Sequence, residues 1–505
     1  MGYYFISIGG SGAKVLESLT HLCVAGLLPN EIKQQKLYTM AVDPDIGNGN
    51  LKRASTVLTS YESFQDWKIG NKTPLFKTEV TLAKPLIWNP AEQDQKLDDV
   101  LSYQAYRGTA VGALYEVLFS REERETFLNE GFRGRPSIGA AVLAKRVALN
   151  NRDNRRKNSS KMDSAPWEQF ARLVRQDVKN GQTAKIFLAG SVFGGTGASG
   201  LPTIARLLRR SFETYFDDGD VLIGGAFLLP YFSFAPDKET QEKLAGEIYA
   251  SSENFSTNTK AALEYYNVRE KDFHSMYFVG DDVLSHMKNF SIGAATQMNE
   301  SHIVDLYAAL AAVDFYQSEL DTVKQCSYIA RAEENKFTWT DLPNIKMDDG
   351  SEIRVKDRLG QLARFIFAYV HLVKPVLNDL STGKVDLYRY PWYLDYLDGI
   401  DTNTDAMKSF DTYVDRFVHW IAQIEGMESE SNGRTIDLIN KTSFTSDPIA
   451  VVAENFSTII HDEDAGISIH ELWYRLCEET REVKSASGIG KFIRALYDSC
   501  AAKQS

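Results

Sequence analysis

The sequence is poor in cysteine, in long apolar runs and in basic charge. Its four cysteines, Cys23, Cys326, Cys477 and Cys500, are far apart and predict neither a disulfide framework nor a metal site. Apolar runs such as residues 365–370 are far shorter than the ~20 residues of a membrane span. A net charge of −12 disfavours nucleic acid as a partner. The N-terminus has no basic region or cleavage site of a signal peptide, so we expect a reduced, cytoplasmic protein.

Apolar residues make up 43% of the chain, and charged residues make up 25%. This balance is ordinary for a soluble protein and provides enough apolar surface for a large core. A length of 505 residues predicts two or more domains.

Two glycine-rich turns stand between a strand-like run and an amphipathic helix. Gly9, Gly10, Ser11, Gly12 and Ala13 follow the run at residues 3–8, and Gly194, Gly195, Thr196 and Gly197 follow the run at residues 185–190. A strand, a glycine turn and a helix together aim backbone N–H groups and a helix dipole at an anion. Either turn alone is a weak signal, but two in one domain favour a nucleotide site.

Neither turn matches the two common nucleotide fingerprints. A P-loop requires Ser or Thr after its lysine, and Lys14 is followed by Val15. A dinucleotide fold requires a third glycine, and Val15 also stands at that position. A dinucleotide-binding oxidoreductase therefore stays an alternative only. We expect Lys14 to reach solvent rather than a phosphate.

Residues 193–199, FGGTGAS, resemble the GGGTG[ST]G signature loop of the tubulin/FtsZ superfamily, with Phe193 and Ser199 in place of glycines. Other segments resemble the family in the same order along residues 1–310. These are the first loop at 8–12, the AVDPD segment at 41–45, the loop at 134–139, the LPYFSF segment at 229–234 and the strand at 276–282.

Strands that alternate with helices predict an α/β fold with a parallel sheet covered by helices on both faces. We expect a nucleotide-binding domain over residues 1–298, interrupted by an exposed basic loop at about 145–165. The resemblance implies a long central helix at 299–320. Residues 321–505 show little strand pattern and predict a mostly helical C-terminal domain, which departs from the family.

The resemblance implies GTP and Mg²⁺ as ligands. Phosphates would contact the two glycine turns with Gly134 and Arg135, and the base or ribose would contact Asp281. Asn299 and Glu300 match the pair that binds guanine, although they also suit the start of a helix. Asp43 and Asp45 stand where the family holds an acidic residue near Mg²⁺, although they also suit a turn.

In this superfamily an acidic loop of one subunit completes the site of the next, so the resemblance implies head-to-tail filaments and a possible GTPase. The usual loop sequence is absent, and Asp341 is the first choice for the catalytic carboxylate. The alternative is a nucleotide-dependent switch or scaffold that does not polymerise and that binds another protein.

His461 and His470 are the histidines that invite a metal assignment. Their spacing matches no metalloenzyme motif, so we expect both to be solvated.

Overall fold

The computed structural model describes residues 2–28, 36–69, 73–74, 76, 78–91, 94–129, 131–153, 165–212, 217, 219–233, 252–281, 284–286, 294–318, 325–329, 336–347, 350–381, 390–426, 435–440, 456–461, 467–477 and 488–501.

A seven-stranded sheet forms the centre of the N-terminal half, and every neighbouring pair of its strands is parallel. The strands are β1 (Gly2–Ile8), β2 (Lys36–Val42), β3 (Glu79–Trp88), β4 (Ala184–Ser191), β5 (Val221–Leu228), β6 (Ser275–Val279) and β7 (Gln325–Ile329). Their spatial order is β7-β6-β5-β4-β1-β2-β3. The predicted α/β class and parallel sheet are confirmed.

Both faces of the sheet are buried, as the continuous apolar runs require. In β1, Tyr3 and Phe5 belong to one hydrophobic core, whereas Tyr4, Ile6 and Ile8 belong to the core on the other face. This alternation follows from the period of two in a strand.

Helices cover the two faces. They are α1 (Gly9–Ala25), α2 (Gly49–Phe64), α3 (Pro136–Asp153), α4 (Ala165–Lys179), α5 (Gly195–Phe212), α6 (Phe255–Arg269) and α7 (Ile303–Gln317). Four short helices precede α3, at Leu97–Val100, Tyr103–Tyr106, Ala110–Leu118 and Arg121–Glu125. The helix that follows the second glycine turn is α5, and it begins inside the turn, at Gly195.

The predicted loop at 145–165 is wrong for residues 145–153, because α3 continues to Asp153. A helix that has nucleated extends at little cost per residue, even through residues of modest helix propensity. Arg146 also anchors this stretch, since its Nε donates to the carbonyl of Pro90 at 2.9 Å and its Nη2 to Oε1 of Gln95 at 2.8 Å. Residues 154–164 lie outside the described residues.

The central helix is shorter than the predicted 299–320. It runs from Ile303 to Gln317, and His302 is its N-cap. The Nδ1 atom of His302 accepts the N–H of Val304 at 3.1 Å, and the carboxylate of Asp305 accepts the N–H of His302 at 2.9 Å. This reciprocal capping explains why the helix begins three residues later than Glu300.

The C-terminal half is mostly helical, as predicted. A continuous helical segment comprises Lys356–Gly360, Gln361–Ala368, Tyr369–Val373 and Lys374–Ser381, and it is followed by Pro391–Tyr396, α8 (Asp405–Glu425), α9 (Ile469–Cys477) and α10 (Ile489–Ser499). Two small strand pairs accompany these helices, Lys336–Phe337 with Thr435–Ile436 and Asn344–Lys346 with Glu352–Arg354. Within the described part of the chain, no helix is long and apolar enough to cross a membrane.

Helix α8 joins the two halves by packing against α1 and α2. Nδ1 of His21 lies 3.1 Å from the phenol oxygen of Tyr413, and Nε1 of Trp420 donates to the hydroxyl of Ser18 at 3.1 Å. Burial lowers the pKa of His21 to about 3, so this imidazole is neutral. One hydrophobic core therefore contains residues of both halves.

Candidate functional site

The two glycine turns meet at the carboxyl edge of the sheet, because β1 and β4 are adjacent and parallel. A Cβ atom placed on Gly9 would lie 3.3 Å from Cβ of Thr196 and 3.5 Å from the backbone nitrogen of Gly197. Gly9 has a φ of +74°, which favours glycine. The sequence therefore brings together two anion-binding turns that are more than 180 residues apart.

Some of the predicted glycines are required for packing. A Cβ on Gly12 would lie 2.4 Å from the carbonyl oxygen of Ala189, and a Cβ on Gly197 would lie 2.4 Å from the carbonyl oxygen of Ser191. A Cβ on Gly195 would lie 3.0 Å from the backbone nitrogen of Gly134. Gly12 and Gly197 therefore let α1 and α5 approach the sheet closely, whereas Gly195 lets the loop at Gly134 approach α5.

Other residues of the turns keep a partly exposed surface. They are Gly10, Ser11, Gly194 and Thr196, whereas Gly9, Gly12, Ala13, Gly195 and Gly197 are buried. The exposed set includes two hydroxyl groups. A bound anion would contact this set directly and the buried set through backbone N–H groups alone.

The N-terminus of α1 has no side-chain cap. Its N-cap residue is Ile8, which has no polar side chain to accept the first backbone N–H groups. These groups have no acceptor inside the helix, and they add to the positive end of the helix dipole. An anion at this position would supply the missing acceptor.

The third predicted loop also reaches the signature turn. Gly131, Arg133 and Gly134 all have positive φ, at +79°, +44° and +73°. This tight turn places Gly134 beside Gly195, and their joint contact with a phosphate stays a prediction. Arg135 is exposed, and its Nε lies 3.9 Å from a carboxylate oxygen of Glu123.

Ser199 replaces a glycine of the signature and is accommodated inside α5. Its hydroxyl donates to the carbonyl of Gly195 at 2.7 Å and lies 3.1 Å from the carbonyl of Thr196. The departure from the family motif is therefore satisfied locally and does not alter the turn.

Asp43 and Asp45 are buried at the end of β2 and make turn hydrogen bonds. The N–H of Asp45 donates to Asp43, and the N–H of Gly47 donates to Asp45, both at 3.1 Å. Burial raises the pKa of Asp43 to about 8. A nearby cation would reverse that direction. The turn interpretation explains these bonds, and the assignment of both residues to Mg²⁺ stays a prediction.

The segment before α7 is held against the N-terminus of α2. The N–H of Asn299 donates to Oδ1 of Asn50 at 2.9 Å, and Nη1 of Arg53 donates to the carbonyl of Asn299 at 2.8 Å. Glu300 is exposed. The alternative in which Asn299 caps the central helix is wrong, because the cap is His302.

Asn48 and Asn50 connect this segment to the first glycine turn. A Cβ on Gly10 would lie 3.2 Å from Nδ2 of each asparagine, and Nδ2 of Asn48 donates to Oε1 of Gln297 at 2.7 Å. The predicted base contact therefore lies beside the predicted phosphate contact. Sequence reasoning missed both asparagines, although Asn48 before the apolar pattern of α2 is a typical N-cap.

Lys14 does not reach solvent, so that prediction is wrong. Its Nζ pairs with Oδ2 of Asp305 at 2.9 Å, and both side chains are buried. The phenol of Tyr231 donates to the other oxygen of Asp305 at 2.9 Å. Burial lowers the pKa of Lys14, and Asp305 acts against that shift. Lys14 therefore links α1 to α7 instead of neutralising a phosphate.

Two further predicted residues lie outside this cluster of contacts. Asp281 is partly exposed two residues after β6, at the same edge of the sheet. Asp341 is exposed and ends a short helical turn, where its carboxylate accepts the N–H of Thr338 at 2.7 Å. Its catalytic role stays a prediction.

No protein-family profile and no curated protein matches the sequence. Among solved structures, the chain matches CetZ from Methanosaeta thermophila strain DSM 6194 over 63% of its residues and 56% of that protein. It also matches CetZ2 from Haloferax volcanii, a GTPγS-bound protofilament, over 64% of its residues and 61% of that protein. Identity is 14% and the TM-score is 0.28 in both matches.

The chain thus spans about three fifths of the length of the CetZ chains. Both are structures of the tubulin/FtsZ family. At these values the matches carry no argument about ligand, activity or assembly, which have to be argued from the residues of the site.

Proposed function

We propose that this chain is a tubulin/FtsZ-like protein that binds GTP at the carboxyl edge of its sheet. The observation that carries the proposal is the meeting of two glycine turns from separate segments. Gly9 lies against Thr196, and the N-terminus of α1 has no capping side chain. Two converging helix N-termini with partly exposed hydroxyls suit a chain of phosphates.

The base would lie against the segment that Asn50 and Arg53 hold. Glu300 is exposed there and offers a carboxylate, which can accept the N1–H and N2–H groups of guanine together. Adenine has no such pair of donors, so this contact would select GTP over ATP.

A magnesium ion would supply the charge that the turns lack. A triphosphate carries about four negative charges, whereas helix N-termini supply only partial positive charge. Lys14 is paired with Asp305, so its positive charge does not neutralise the phosphates. Asp43 and Asp45 are the carboxylates that we assign to the ion, with the chemistry of a Lewis acid at the terminal phosphates.

The proposal extends to filament assembly and GTP hydrolysis. A neighbouring subunit would add a carboxylate, with Asp341 as first choice, and head-to-tail contacts of this kind generate filaments. The non-polymerising switch stays the alternative. Oδ2 of Asp341 accepts the N–H of Thr338 in its own turn, so the other oxygen of this carboxylate would contact a neighbour's nucleotide.

Identification of the co-purified nucleotide tests the core of the proposal. We expect GTP or GDP, released by denaturing the purified full chain and separated by ion-exchange chromatography. Titration with labelled GTP and ATP in the presence of Mg²⁺ should show a preference for GTP that Glu300→Gln reduces. Bound NAD or NADP would establish the oxidoreductase alternative, and no nucleotide affinity at all would refute the site.

Light scattering and phosphate release across a protein dilution series separate the filament from the switch. In a filament, hydrolysis rises more steeply than protein concentration, because each site needs a neighbour. Hydrolysis proportional to concentration, without added scattering on GTP and Mg²⁺, indicates the switch.

A further inference from the structure

Three metal-ligating side chains from separate segments lie together in the C-terminal half. They are Glu425, Asp437 and His461, and one ligand atom from each lies within 4.8 Å of the other two. All three are partly exposed, so an ion and its water can reach them. Among the described residues, no other group of three or more His, Cys, Asp or Glu side chains is this close together.

Backbone hydrogen bonds hold the three segments in a fixed arrangement. The N–H of Asp437 donates to the carbonyl of Phe337 at 2.8 Å, and the N–H of His461 donates to the carbonyl of Leu438 at 3.0 Å. Nε1 of Trp339 donates to the same carbonyl at 2.7 Å. These bonds hold Asp437 and His461 in fixed positions relative to each other, and a specific metal site requires such fixed donors.

The two carboxylates are oriented by partners that leave one oxygen of each for the cluster. Oε2 of Glu425 accepts the N–H groups of Leu438 and Ile439, at 3.0 and 3.2 Å. Lys336 pairs with Oδ2 of Asp437, whereas Nδ1 of His461 contacts Oδ1 of the same carboxylate. Outer partners of this kind orient metal ligands in known sites.

We propose that Glu425, Asp437 and His461 bind one divalent first-row transition-metal ion of the zinc type. An imidazole nitrogen with two carboxylate oxygens suits such ions, whereas Mg²⁺ and Ca²⁺ prefer oxygen ligands throughout. The two carboxylates neutralise the ion, and water completes a fourth position at the exposed side. The ion replaces the direct hydrogen bond between His461 and Asp437, and Lys336 stays on the outer oxygen.

This ion fastens together parts of the chain that are distant in sequence. Glu425 is the last residue of α8, Asp437 directly follows the strand Thr435–Ile436, and His461 follows a short helical turn. Binding to the folded arrangement alone stabilises it by mass action. The site is therefore a structural clamp at the end of the helix that also contacts α1.

Calorimetric titration of the EDTA-stripped full chain with ZnCl₂, without nucleotide, tests the proposal. We expect one tightly bound Zn²⁺ per chain, a rise in melting temperature, and visible absorption bands when Co²⁺ replaces Zn²⁺. His461→Ala should weaken Zn²⁺ binding by more than about 100-fold, and Lys336→Met should weaken it by less, since outer partners typically contribute about 10–100-fold. His470→Ala is the matched control, because His470 is exposed and outside the cluster.

Two results would overturn the proposal. One is a wild-type chain that binds no stoichiometric Zn²⁺, which leaves Lys336, Asp437 and His461 as a hydrogen-bonded network only. The other is equal Zn²⁺ affinity in the wild type and in His461→Ala. Should His461→Ala fail to fold, Asp437→Asn takes its place, and the wild-type titration decides by itself.

Discussion

The residues around the two glycine turns divide into a buried region and a partly exposed region, and both belong to the same motif. In the buried region, Gly12 and Gly197 bring helices against the sheet, Gly195 packs on the loop at Gly134, and Lys14 joins α1 to α7. In the exposed region, Gly10, Ser11, Gly194 and Thr196 form the surface that a ligand can touch. The glycine turns therefore have two roles, packing of the helices and, as proposed, ligand binding. Substitutions at buried and at exposed residues should separate these two roles.

The largest effect should come from the buried ion pair. Lys14→Met leaves Asp305 charged and buried without its cation, and breaking such a pair typically costs about 3–5 kcal/mol. Urea denaturation should show this loss. The control is Lys36→Met, because Lys36 pairs with Glu79 at the surface and is 63% exposed; it should cost less than about 1 kcal/mol. Equal small losses for both variants would contradict the assigned role of Lys14.

A pH-dependent effect of similar size should come from Asp43. Its pKa is about 8 in the folded chain, against about 3.9 in an unfolded one, so between these values only the folded chain holds the proton. The free energy of unfolding should therefore fall as pH rises from about 4 to 8, by at most about 1.4 kcal/mol per pH unit, and then level off.

The isosteric variant Asp43→Asn isolates that effect. It keeps an oxygen for the N–H of Asp45 but cannot ionise. The stability of the wild type relative to Asp43→Asn, measured by denaturation without nucleotide or Mg²⁺, should fall steadily from pH 5 to pH 8. Parallel stability curves for the two proteins would show that Asp43 ionises normally.

Alanine substitutions at two glycines of the first turn should have smaller effects. One should lower stability, and the other should weaken GTP binding. Gly12→Ala forces a Cβ to within 2.4 Å of a backbone oxygen, and overpacking of this kind costs about 1–3 kcal/mol. Gly10→Ala meets only the amide ends of two asparagines at 3.2 Å, which can shift. Thermal unfolding should separate the two variants, and GTP titration should show weakened binding in a fully folded Gly10→Ala. Similar melting temperatures would remove the distinction between buried and exposed glycines.

Thr196→Ala should have the smallest effect on stability, and it should act selectively on GTP binding. The hydroxyl is partly exposed, so its loss should leave the melting temperature unchanged. Loss of one hydrogen bond to a charged phosphate oxygen should weaken GTP binding by about 1.5–3 kcal/mol, roughly 10- to 100-fold. Thr56→Ala on the exposed face of α2 is the control. Unchanged affinity in Thr196→Ala would place the phosphates elsewhere.

The order of the strands and helices could be predicted because local sequence patterns determine it. Continuous apolar runs identified β1, β4, β5 and β6, and glycine turns identified the helices that follow two of them. The limits of α7 could not be predicted from Asn299 and Glu300, because the true cap uses a histidine ring and Asp305. Helix α3 continued through polar residues for a tertiary reason, the contacts of Arg146 with Pro90 and Gln95.

In the candidate site too, some contacts could be predicted from the sequence and others depend on tertiary partners. Gly134 and Gly195 were expected together from the resemblance, and the structure places them side by side. The roles of Asn48, Asn50 and Lys14 depend on partners more than 200 residues away, which no local pattern contains. His461 was expected to be solvated for the same reason, since both carboxylates near it come from other segments.

The contacts of α8 have a consequence for the autonomy of the two halves. The carboxamide oxygen of Gln423 accepts the N–H of Ser301 at 3.0 Å, and Phe410 and Tyr413 pack on Phe64. A fragment cut after the central helix would keep every glycine turn yet expose the aromatic face that α8 covers. Such a fragment should be insoluble or molten, and co-expression with the severed remainder should rescue it. We therefore expect the two halves to unfold together, because α8 completes the hydrophobic core on which the glycine turns are mounted.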